Sequence, residues 1–163
     1  MRVFAVSGYS GTGKTTLIEA LVRELVRNGH SVATIKSSKH EPGPEEGTDT
    51  WRHSQAGASV TIFLKAEGNR GGLRERIGEE NLAQIEGNDF LLIEGMKSID
   101  IPRFWCIGAD DDVPEDVPEN TQAIVRWEDD GAAFQDYTVI ESESVKELVR
   151  ILIEKAVDLA SVE

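Results

Sequence analysis

The residues with the clearest chemistry lie near the start of the chain, at Gly8–Thr15, where the sequence reads Gly-Tyr-Ser-Gly-Thr-Gly-Lys-Thr. This segment matches the phosphate-binding loop pattern G-x-x-x-x-G-K-[ST] at every position. Glycines let consecutive backbone N–H groups point at phosphate oxygens, a lysine reaches the β- and γ-phosphates, and a hydroxyl completes a Mg²⁺ shell. The expected nucleotide-binding residues are Gly8, Tyr9, Ser10, Gly11, Thr12, Gly13, Lys14, Thr15 and Thr16.

The setting of this loop favours a nucleotide site over an ordinary glycine-rich turn. An apolar run at 3–6 precedes the loop, and a segment with helical periodicity follows it from Lys14 to about Arg27. A helix N-terminus would add unpaired N–H donors and partial positive charge beside the phosphates. A chance match in a chain of this length is on the order of one per cent, judged from average residue usage. We therefore expect the chain to bind a nucleoside triphosphate.

An acidic residue follows a second apolar run, at Glu94 after Phe90–Ile93. This is the pattern of a Walker B strand, whose carboxylate contacts Mg²⁺ directly or through water, although aspartate is the commoner residue there. Thr15 and Glu94 are therefore the predicted metal ligands, and Glu94 and Asp49 are the predicted catalytic residues. Asp89 precedes the same strand, at the opposite end of the sheet, and is expected to be structural.

Further polar side chains concentrate on both sides of a loop rich in proline and glycine. One interpretation is a solvated loop before a surface helix, and the other is a switch-like segment near the γ-phosphate. Within this segment and just after the Walker B strand, Lys36, Arg52 and Lys97 are predicted to form a second anion site. The alternative is that Lys36 and Lys97 only balance the charges of Glu94 and Asp49.

Strand-like and helical segments alternate along the chain, and continuously apolar strands indicate a sheet covered on both faces. In such sheets ligands bind at the carboxyl ends of the strands, which is where the loop, Lys36 and Glu94 follow their strands. We therefore predict a single α/β domain over residues 1–163, of the three-layer P-loop NTPase type with a mainly parallel sheet. Strands are expected near 3–6, 32–35, 60–64, 90–93, 104–107, 123–125 and 138–140. Helices are expected at 14–27, 51–58, 79–85 and 145–157, the last after a capping box of Ser144 and Glu147, with loops at 37–50 and 68–72.

The charge and cysteine content of the chain limit the kinds of molecule it can bind and the compartment in which it works. The formal charge is −13, from 17 basic and 30 acidic residues, and such a surface repels nucleic acids and anionic membranes. The same acidity is also typical of adaptation to a salt-rich cytoplasm. The single cysteine, Cys106, lies in an apolar run and is expected to be a small buried hydrophobe in a reducing compartment. Because strand signals begin at once and no apolar run is long enough to cross a bilayer, we expect a cytoplasmic protein without a signal peptide or membrane anchor.

The motifs taken together resemble one family more closely than the phosphate loop alone would allow. Gly8–Thr16, Ile35-Lys36, the segments 49–52 and 56–58, and Leu92–Lys97 occur in the order and at the spacing typical of the molybdopterin-guanine dinucleotide biosynthesis protein B (MobB) family. The resemblance is close over residues 1–108 and covers the remainder only in outline.

This resemblance implies a P-loop protein that binds GTP with Mg²⁺ and hydrolyses it slowly or not at all. It also implies a homodimer that binds molybdopterin or assists the guanylyltransferase partner enzyme, which couples GMP to molybdopterin. Two features depart from the family pattern. The histidine cluster that commonly follows the Ile-Lys pair is reduced here to His40, and the segment from Asp110 to Asp136 is unusually acidic.

Guanine specificity has no motif in this chain, because [NT]-K-x-D is absent from the sequence. Asp129 or Asp130, after a predicted strand, is the candidate for reading the guanine N1–H and 2-amino groups. Without an assignable arginine finger or glutamine, hydrolysis by the isolated chain should be slow, about 10⁻⁴ to 10⁻² s⁻¹.

Two other functions stay open. A small-molecule kinase would use an arginine-bearing lid, and a GTPase metallochaperone would use histidine and cysteine ligands. The residues concerned are Arg70, Arg74 and Arg76 for the lid, and His40, His53 and Cys106 for the metal.

Overall fold

The computed structural model of the chain describes residues 1–39, 46–66, 71–108, 117–127 and 137–162. The strands in these ranges are β1 (Arg2–Gly8), β2 (Val32–Ser38), β3 (Val60–Lys65), β4 (Phe90–Glu94), β5 (Arg103–Cys106), β6 (Thr121–Arg126), β7 (Val139–Glu141) and β8 (Val157–Asp158). The helices are α1 (Lys14–Arg27), α2 (Asp49–Gln55), α3 (Leu73–Ile77), α4 (Glu79–Ile85) and α5 (Val145–Lys155), followed by a 3₁₀ turn at Leu159–Ser161.

The described strands form one sheet in the order β3-β2-β4-β1-β5-β6-β7, and all of these neighbours pair in parallel. β8 pairs antiparallel with the first residues of β1. This order places β4 between β1 and β2, so the three strands that carry Glu94, the phosphate loop and Lys36 lie side by side. Their carboxyl ends share one edge of the sheet, as a parallel arrangement requires.

Two separate apolar clusters cover the two faces of the sheet. On one face Phe4 and Val6 pack with residues of α1 and α5 such as Leu21 and Leu152. On the other face, Val3 and its neighbours pack with α3, α4 and the 3₁₀ turn. Alternate residues of β1 thus enter opposite clusters, and the predicted three-layer α/β fold is confirmed. Within the described ranges, no helix is both long enough and apolar enough to cross a membrane.

The first helix agrees with the prediction, and the next two elements correct it. α1 runs from Lys14 to Arg27 and is followed by Gly29 in the left-handed region, at φ 87°. α2 begins at Asp49 rather than Trp51, because the Thr48 hydroxyl caps it by accepting a hydrogen bond from the Trp51 N–H at 3.3 Å. Two residues of the predicted loop therefore belong to a helix, and β2 extends to Ser38 at the other side of that loop.

α3 was not predicted, although Leu73 and Ile77 lie four residues apart and are both buried against the sheet. Its five residues are too short for a periodic pattern to stand out from the glycine-rich segment before it.

The last helix starts where predicted, at Val145, but its capping box does not form and it ends earlier, at Lys155. Ser144 is the N-cap residue of α5, but its side chain makes no capping hydrogen bond, and its backbone carbonyl accepts the N–H groups of Glu147 and Leu148 instead. Val157 leaves the helix and pairs with Val3 in β8. Because β5 pairs with β1 only from Ala5 onward, the first residues of β1 have an open edge that Val157 can occupy.

One fully buried cation, Arg103 on β5, holds the loop that follows β4. Its guanidinium donates to the Ser7 hydroxyl at 3.1 Å, to the carbonyls of Met96 and Lys97 at 3.3 and 3.2 Å, and to the carbonyl of Ile99. Burial lowers the pKa of Arg103, although the charge of Asp100 opposes this effect. The side chain of Arg103 thus holds the loop that carries Lys97.

We predict that Arg103→Leu lowers the free energy of unfolding by about 2–4 kcal/mol, because several buried acceptors lose their donor at once. Urea unfolding followed by circular dichroism measures the change. Arg23→Ala is the matched control, since the side chain of Arg23 is 59% exposed and its removal should cost less than about 0.5 kcal/mol. Equal stability of the Arg103 variant and the wild type would contradict the role given to this arginine.

Candidate nucleotide-binding site

The phosphate loop connects β1 to α1 and closes on itself. The buried Thr12 hydroxyl donates to the carbonyl of Tyr9 at 2.9 Å, and the Lys14 ammonium donates to the same carbonyl. Gly8 has φ 147°, and a Cβ at this position would lie 2.4 Å from the carbonyl oxygen of Cys106 on β5. The loop therefore needs glycine where it passes the neighbouring strand. The lysine of the loop motif, Lys14, is the first residue of α1.

Three oxygen-bearing side chains from three elements meet directly behind the loop. The Thr15 hydroxyl lies 3.0 Å from Asp49 Oδ1 and 2.9 Å from Glu94 Oε1. The Lys36 ammonium forms ion pairs with both carboxylates, at 2.7 Å from Asp49 Oδ2 and in closer contact with Glu94 Oε1. Asp49 thus comes from the first turn of α2 and Glu94 from the end of β4. We call this group of Thr15, Lys36, Asp49 and Glu94 the carboxylate cluster.

A buried histidine completes the cluster from behind. His53 Nε2 lies 3.1 Å from Glu94 Oε2, and the two residues are 0% and 1% exposed. His53 and Asp49 are four residues apart on α2, so both lie on the face that is directed at Glu94. The carboxylate of Glu94 therefore has one oxygen held by His53 and the other directed toward Thr15 and Lys36.

The ionisation of the cluster follows from these contacts. Burial raises the pKa of Glu94, but the hydrogen bond from His53 and the charge of Lys36 outweigh it and hold that pKa below its ordinary value. Burial also acts to raise the pKa of Asp49, and contacts with Lys36 and Thr15 bring it below the usual range. Burial alone would lower the pKa of Lys36, but the two carboxylates raise it. All three groups are therefore charged near neutral pH.

The cluster fits the donor set of a magnesium ion. Mg²⁺ takes hard oxygen ligands, commonly one or two carboxylates together with phosphate oxygens and water. Thr15 supplies a hydroxyl, and Asp49 and Glu94 supply two ionised carboxylates that each lie within 3.0 Å of that hydroxyl. The Lys36 ammonium pairs with both acids, in agreement with the alternative that this lysine balances the charges of Glu94 and Asp49.

The remaining cations of the predicted second anion site lie in different surroundings. The Lys97 ammonium lies 4.2 Å from the centre of the Tyr9 ring and 5.5 Å from that of Trp105, and burial lowers its pKa. Arg52 is directed at α1, where it contacts the Thr16 hydroxyl at 3.0 Å and Glu19 Oε2 at 2.5 Å.

Two of these three cations, Lys36 and Lys97, also affect the pKa of Lys14. Burial is the main cause that lowers the pKa of Lys14. The charge of Glu94 opposes this effect, and the charges of Lys36 and Lys97 add to it. Lys36 and Lys97 therefore lie close enough to the phosphate loop to act on its lysine. The three residues of the second anion site each have partners of their own, and their joint action on one anion stays a prediction.

Several predicted residues lie outside the described ranges, namely Asp129, Asp130, His40 and Arg70. Of the other arginines of the alternative kinase lid, Arg76 donates to the carbonyl of Gly71 at 3.0 Å and to the Ser98 hydroxyl at 3.1 Å. Cys106 is buried as predicted, and burial raises the pKa of its thiol to about 12. In the described part of the chain, no three or more histidine, cysteine and acidic side chains are grouped so as to hold a metal ion.

Sequence reasoning missed three contributors to the site. His53 was weighed only as a metal ligand, although its spacing from Asp49 on a helix could have indicated a shared target. Arg103 carried no signal, because a single arginine before an apolar run does not reveal burial. Trp127 also carried no signal, because its indole approaches Gly13 of the loop only through the order of strands in the sheet.

The strand, phosphate loop and helix, set in a parallel sheet covered on both faces, define the chain as a P-loop NTPase fold. The solved structure of MobB from Bacillus subtilis resembles it with a TM-score of 0.65 at 24% identity, over 96% of this chain and 99% of that one. Hydrogenase maturation factor HypB from Archaeoglobus fulgidus has a TM-score of 0.63 at 20% identity, over 94% and 89% of the two chains. At these identities the likeness concerns the fold alone.

The family follows from the sequence itself. Residues 3–127 match the family model of molybdopterin guanine dinucleotide synthesis protein B, and the chain belongs to this family. A protein of Methanocaldococcus jannaschii, provisionally named a molybdopterin-guanine dinucleotide biosynthesis adapter protein, is 30% identical over 165 residues. The alignment covers 96% of this chain but 63% of that relative, so the chain spans less than two thirds of the relative's length. The resemblance inferred from the motifs is confirmed.

We predict that Lys36→Met destabilises the fold by roughly 3 kcal/mol at neutral pH, because it leaves two carboxylates without their cation. The folded-state pKa values of Glu94 and Asp49 are depressed, so the stability they contribute is present above about pH 4 and is lost as the pH falls through those lowered values. The deficit of the variant should therefore shrink below about pH 4. Urea unfolding across this pH range measures it.

Lys155→Met is the control for this prediction. Lys155 pairs with Glu154 at 2.9 Å, but both side chains are about half exposed, so the loss should stay below about 1 kcal/mol at any pH. A deficit of Lys36→Met that did not change between pH 7 and pH 3 would show that Lys36 does not act through the carboxylates.

Proposed function

We propose that the chain binds GTP with Mg²⁺ in the phosphate loop and acts as an adapter protein in molybdopterin guanine dinucleotide biosynthesis. The observation that carries the nucleotide part is the convergence of Thr15, Asp49 and Glu94 beside Lys14 at the N-terminus of α1. Membership of the family supports the assignment to this pathway, because the family is described as molybdopterin guanine dinucleotide synthesis protein B. The name of the M. jannaschii relative supports the adapter role.

Each residue of the site has a distinct part in this proposal. The loop N–H groups and the end of α1 bind the phosphates, and Lys14 exchanges the Tyr9 carbonyl for phosphate oxygens. Thr15, Asp49 and Glu94 would hold Mg²⁺, which when bound neutralises phosphate charge. His53 holds Glu94 in the orientation that directs its other oxygen at Thr15.

Slow hydrolysis belongs to the same proposal. Arg52, the cation of α2, is directed at Thr16 and Glu19 on α1, so it is held by groups other than a γ-phosphate. We propose that Asp49 and Glu94 would hold Mg²⁺, which would neutralise charge on the phosphates, and that turnover is near the unassisted range of about 10⁻⁴ to 10⁻² s⁻¹. Phosphate transfer that depended on a small-molecule acceptor would instead favour the kinase alternative.

We predict that Lys14→Ala weakens binding of Mg²⁺–GTP at least about 100-fold, because two charge-assisted phosphate contacts of about 1.5–3 kcal/mol each are lost. The fold should remain intact, since the Lys14 ammonium donates to the carbonyl of Tyr9 in its own loop and not to a group of the core. Isothermal titration with GTP and ATP measures both affinity and guanine preference. Lys155→Ala, far along α5, serves as the control, and unchanged GTP affinity in Lys14→Ala would remove the basis of the proposal.

The adapter role requires a surface for molybdopterin or for the guanylyltransferase. Lys97 is the cation best placed for an additional anion, because its ammonium lies over the rings of Tyr9 and Trp105 and forms no ion pair with a carboxylate of the described ranges. The terminal phosphate of molybdopterin is the anion that we propose for it. Lys36 and Arg52, the other residues of the predicted anion site, have carboxylate partners and would take part only by exchanging them.

We predict that Lys97→Ala and Arg52→Ala spare GTP affinity within about twofold and weaken molybdopterin binding. A loss of about 1.5–3 kcal/mol, or roughly 10- to 150-fold, is expected for one charge-assisted contact. Titration of each variant with molybdopterin and, separately, with Mg²⁺–GTP provides the comparison. If both variants lost GTP affinity to the same extent, the residues would belong to the nucleotide site and the second anion site would be refuted.

A homodimer is part of the proposal and rests mainly on the family resemblance. In the described strand order β3 forms one end of the sheet and pairs only with β2, so its other edge is available to a second chain. The metallochaperone alternative draws support only from the fold shared with HypB. Two of its three ligands are buried here, and one of these, His53, is held by Glu94.

A further inference from the structure

An aromatic side chain that no motif accounts for lies against the phosphate loop. Trp127 follows β6 directly, and its indole packs on Gly13 at the end of the loop. A Cβ added to Gly13 would lie 2.0 Å from Trp127 Nε1 and 2.4 Å from both Cε2 and Cζ2. Glycine is therefore required at this position twice over, because its φ of 81° is left-handed and because the indole occupies the space of a side chain.

The position of this ring relative to the phosphates follows from the sheet. Gly13 is the N-cap residue of α1, so its neighbouring N–H groups are those that would bind phosphate. β6 is the second strand from β1, separated from it by β5, at a lateral distance of about 10 Å. The indole reaches from the residue after β6 to Gly13 of the loop. It therefore lies beside the N–H groups that would bind phosphate, on the side toward β6.

The ring is only partly used by the fold. Trp127 is 39% exposed and belongs to a small group of large apolar side chains with such exposure in the described ranges. Of these, Tyr9 is covered by Lys97, whereas Trp127 is anchored to the loop by one edge of its indole. A large aromatic side chain that contacts the loop along one edge and keeps 39% of its surface exposed is suited to stacking on a flat heterocycle.

We propose that Trp127 is the stacking platform for the base of the bound nucleotide and selects purines over pyrimidines. This inference rests on the proposed nucleoside triphosphate site and adds the part that recognises the base. Stacking strength increases with the overlapping ring area, so a two-ring base gains more from the indole than a one-ring base. The platform serves guanine and adenine alike, because every base has a π face and stacking reads no hydrogen bonds.

The decisive experiment compares a nucleotide with its phosphates alone. Mg²⁺–GTP and Mg²⁺–tripolyphosphate are titrated into the wild type, Trp127→Leu and Trp127→Phe, with Trp51→Leu as the control. Trp51 is 37% exposed and lies on α2, so it matches Trp127 in exposure without contacting Gly13. Urea unfolding of each variant confirms that the compared proteins are folded.

We expect Trp127→Leu to lose roughly 5- to 150-fold in GTP affinity, the range that corresponds to one base–aromatic stack, and to bind tripolyphosphate within about twofold of the wild type. Trp127→Phe should recover most of the GTP affinity, and Trp51→Leu should change neither ligand. Equal losses for GTP and tripolyphosphate would show that the ring only supports the loop, and no loss for either would show that it does not meet the base. Both results overturn the inference.

The wild type supplies a test that does not depend on any variant. GTP and ATP should both bind more tightly than CTP and UTP, and equal affinities for all four would overturn the platform even if Trp127→Leu did not fold. Failure of the proposed function itself would look different. In that case the wild type would bind neither GTP nor tripolyphosphate, and the platform would fall with the site on which it rests.

Discussion

The structure depends on keeping one buried carboxylate charged. Glu94 is 1% exposed at the carboxyl end of β4, and a buried ionised carboxylate is stable only with close cations and hydrogen-bond donors. These partners come from three other elements: Lys36 from β2, Thr15 from α1 and His53 from α2. The requirement of one side chain thus constrains the mutual position of four elements. Because the phosphate loop is joined to α1, it is positioned by the same network.

The surface charge of the chain and the charge of the site have opposite signs. The protein carries a net charge of −13, yet Lys14, Lys36 and Lys97 lie close enough that the last two lower the pKa of the first. Positive potential is therefore concentrated at one edge of the sheet, where Glu94 and Asp49 offset part of it. An acidic surface around a local group of cations disfavours extended polyanions such as nucleic acids, because most of their length would face negative charge.

Much of the fold followed from the sequence because its signals are local. The phosphate loop fits a pattern of eight consecutive residues, and the helices α1 and α4 and the continuously apolar central strands are each recognisable within one short window. The predictions that were wrong concern interactions across long separations or very short elements. Val157 continued the apolar spacing of α5 but pairs with Val3 at the other end of the chain, and no local pattern contains that partner. α3 has only five residues, fewer than a periodic pattern requires.

The sequence by itself determined the class of protein, the phosphate loop with Lys14 and Thr15, and the identity of Glu94 as the acid after a buried strand. These rest on covalent spacing, which the chain preserves in any conformation. The tertiary structure alone decided which side chains meet. It directed His53 at Glu94, paired Lys36 with both acids, placed Arg52 on Glu19 and brought Trp127 onto Gly13. The physical reason is that such contacts depend on the order of strands in the sheet, which is set by the packing of the whole domain and not by any one segment.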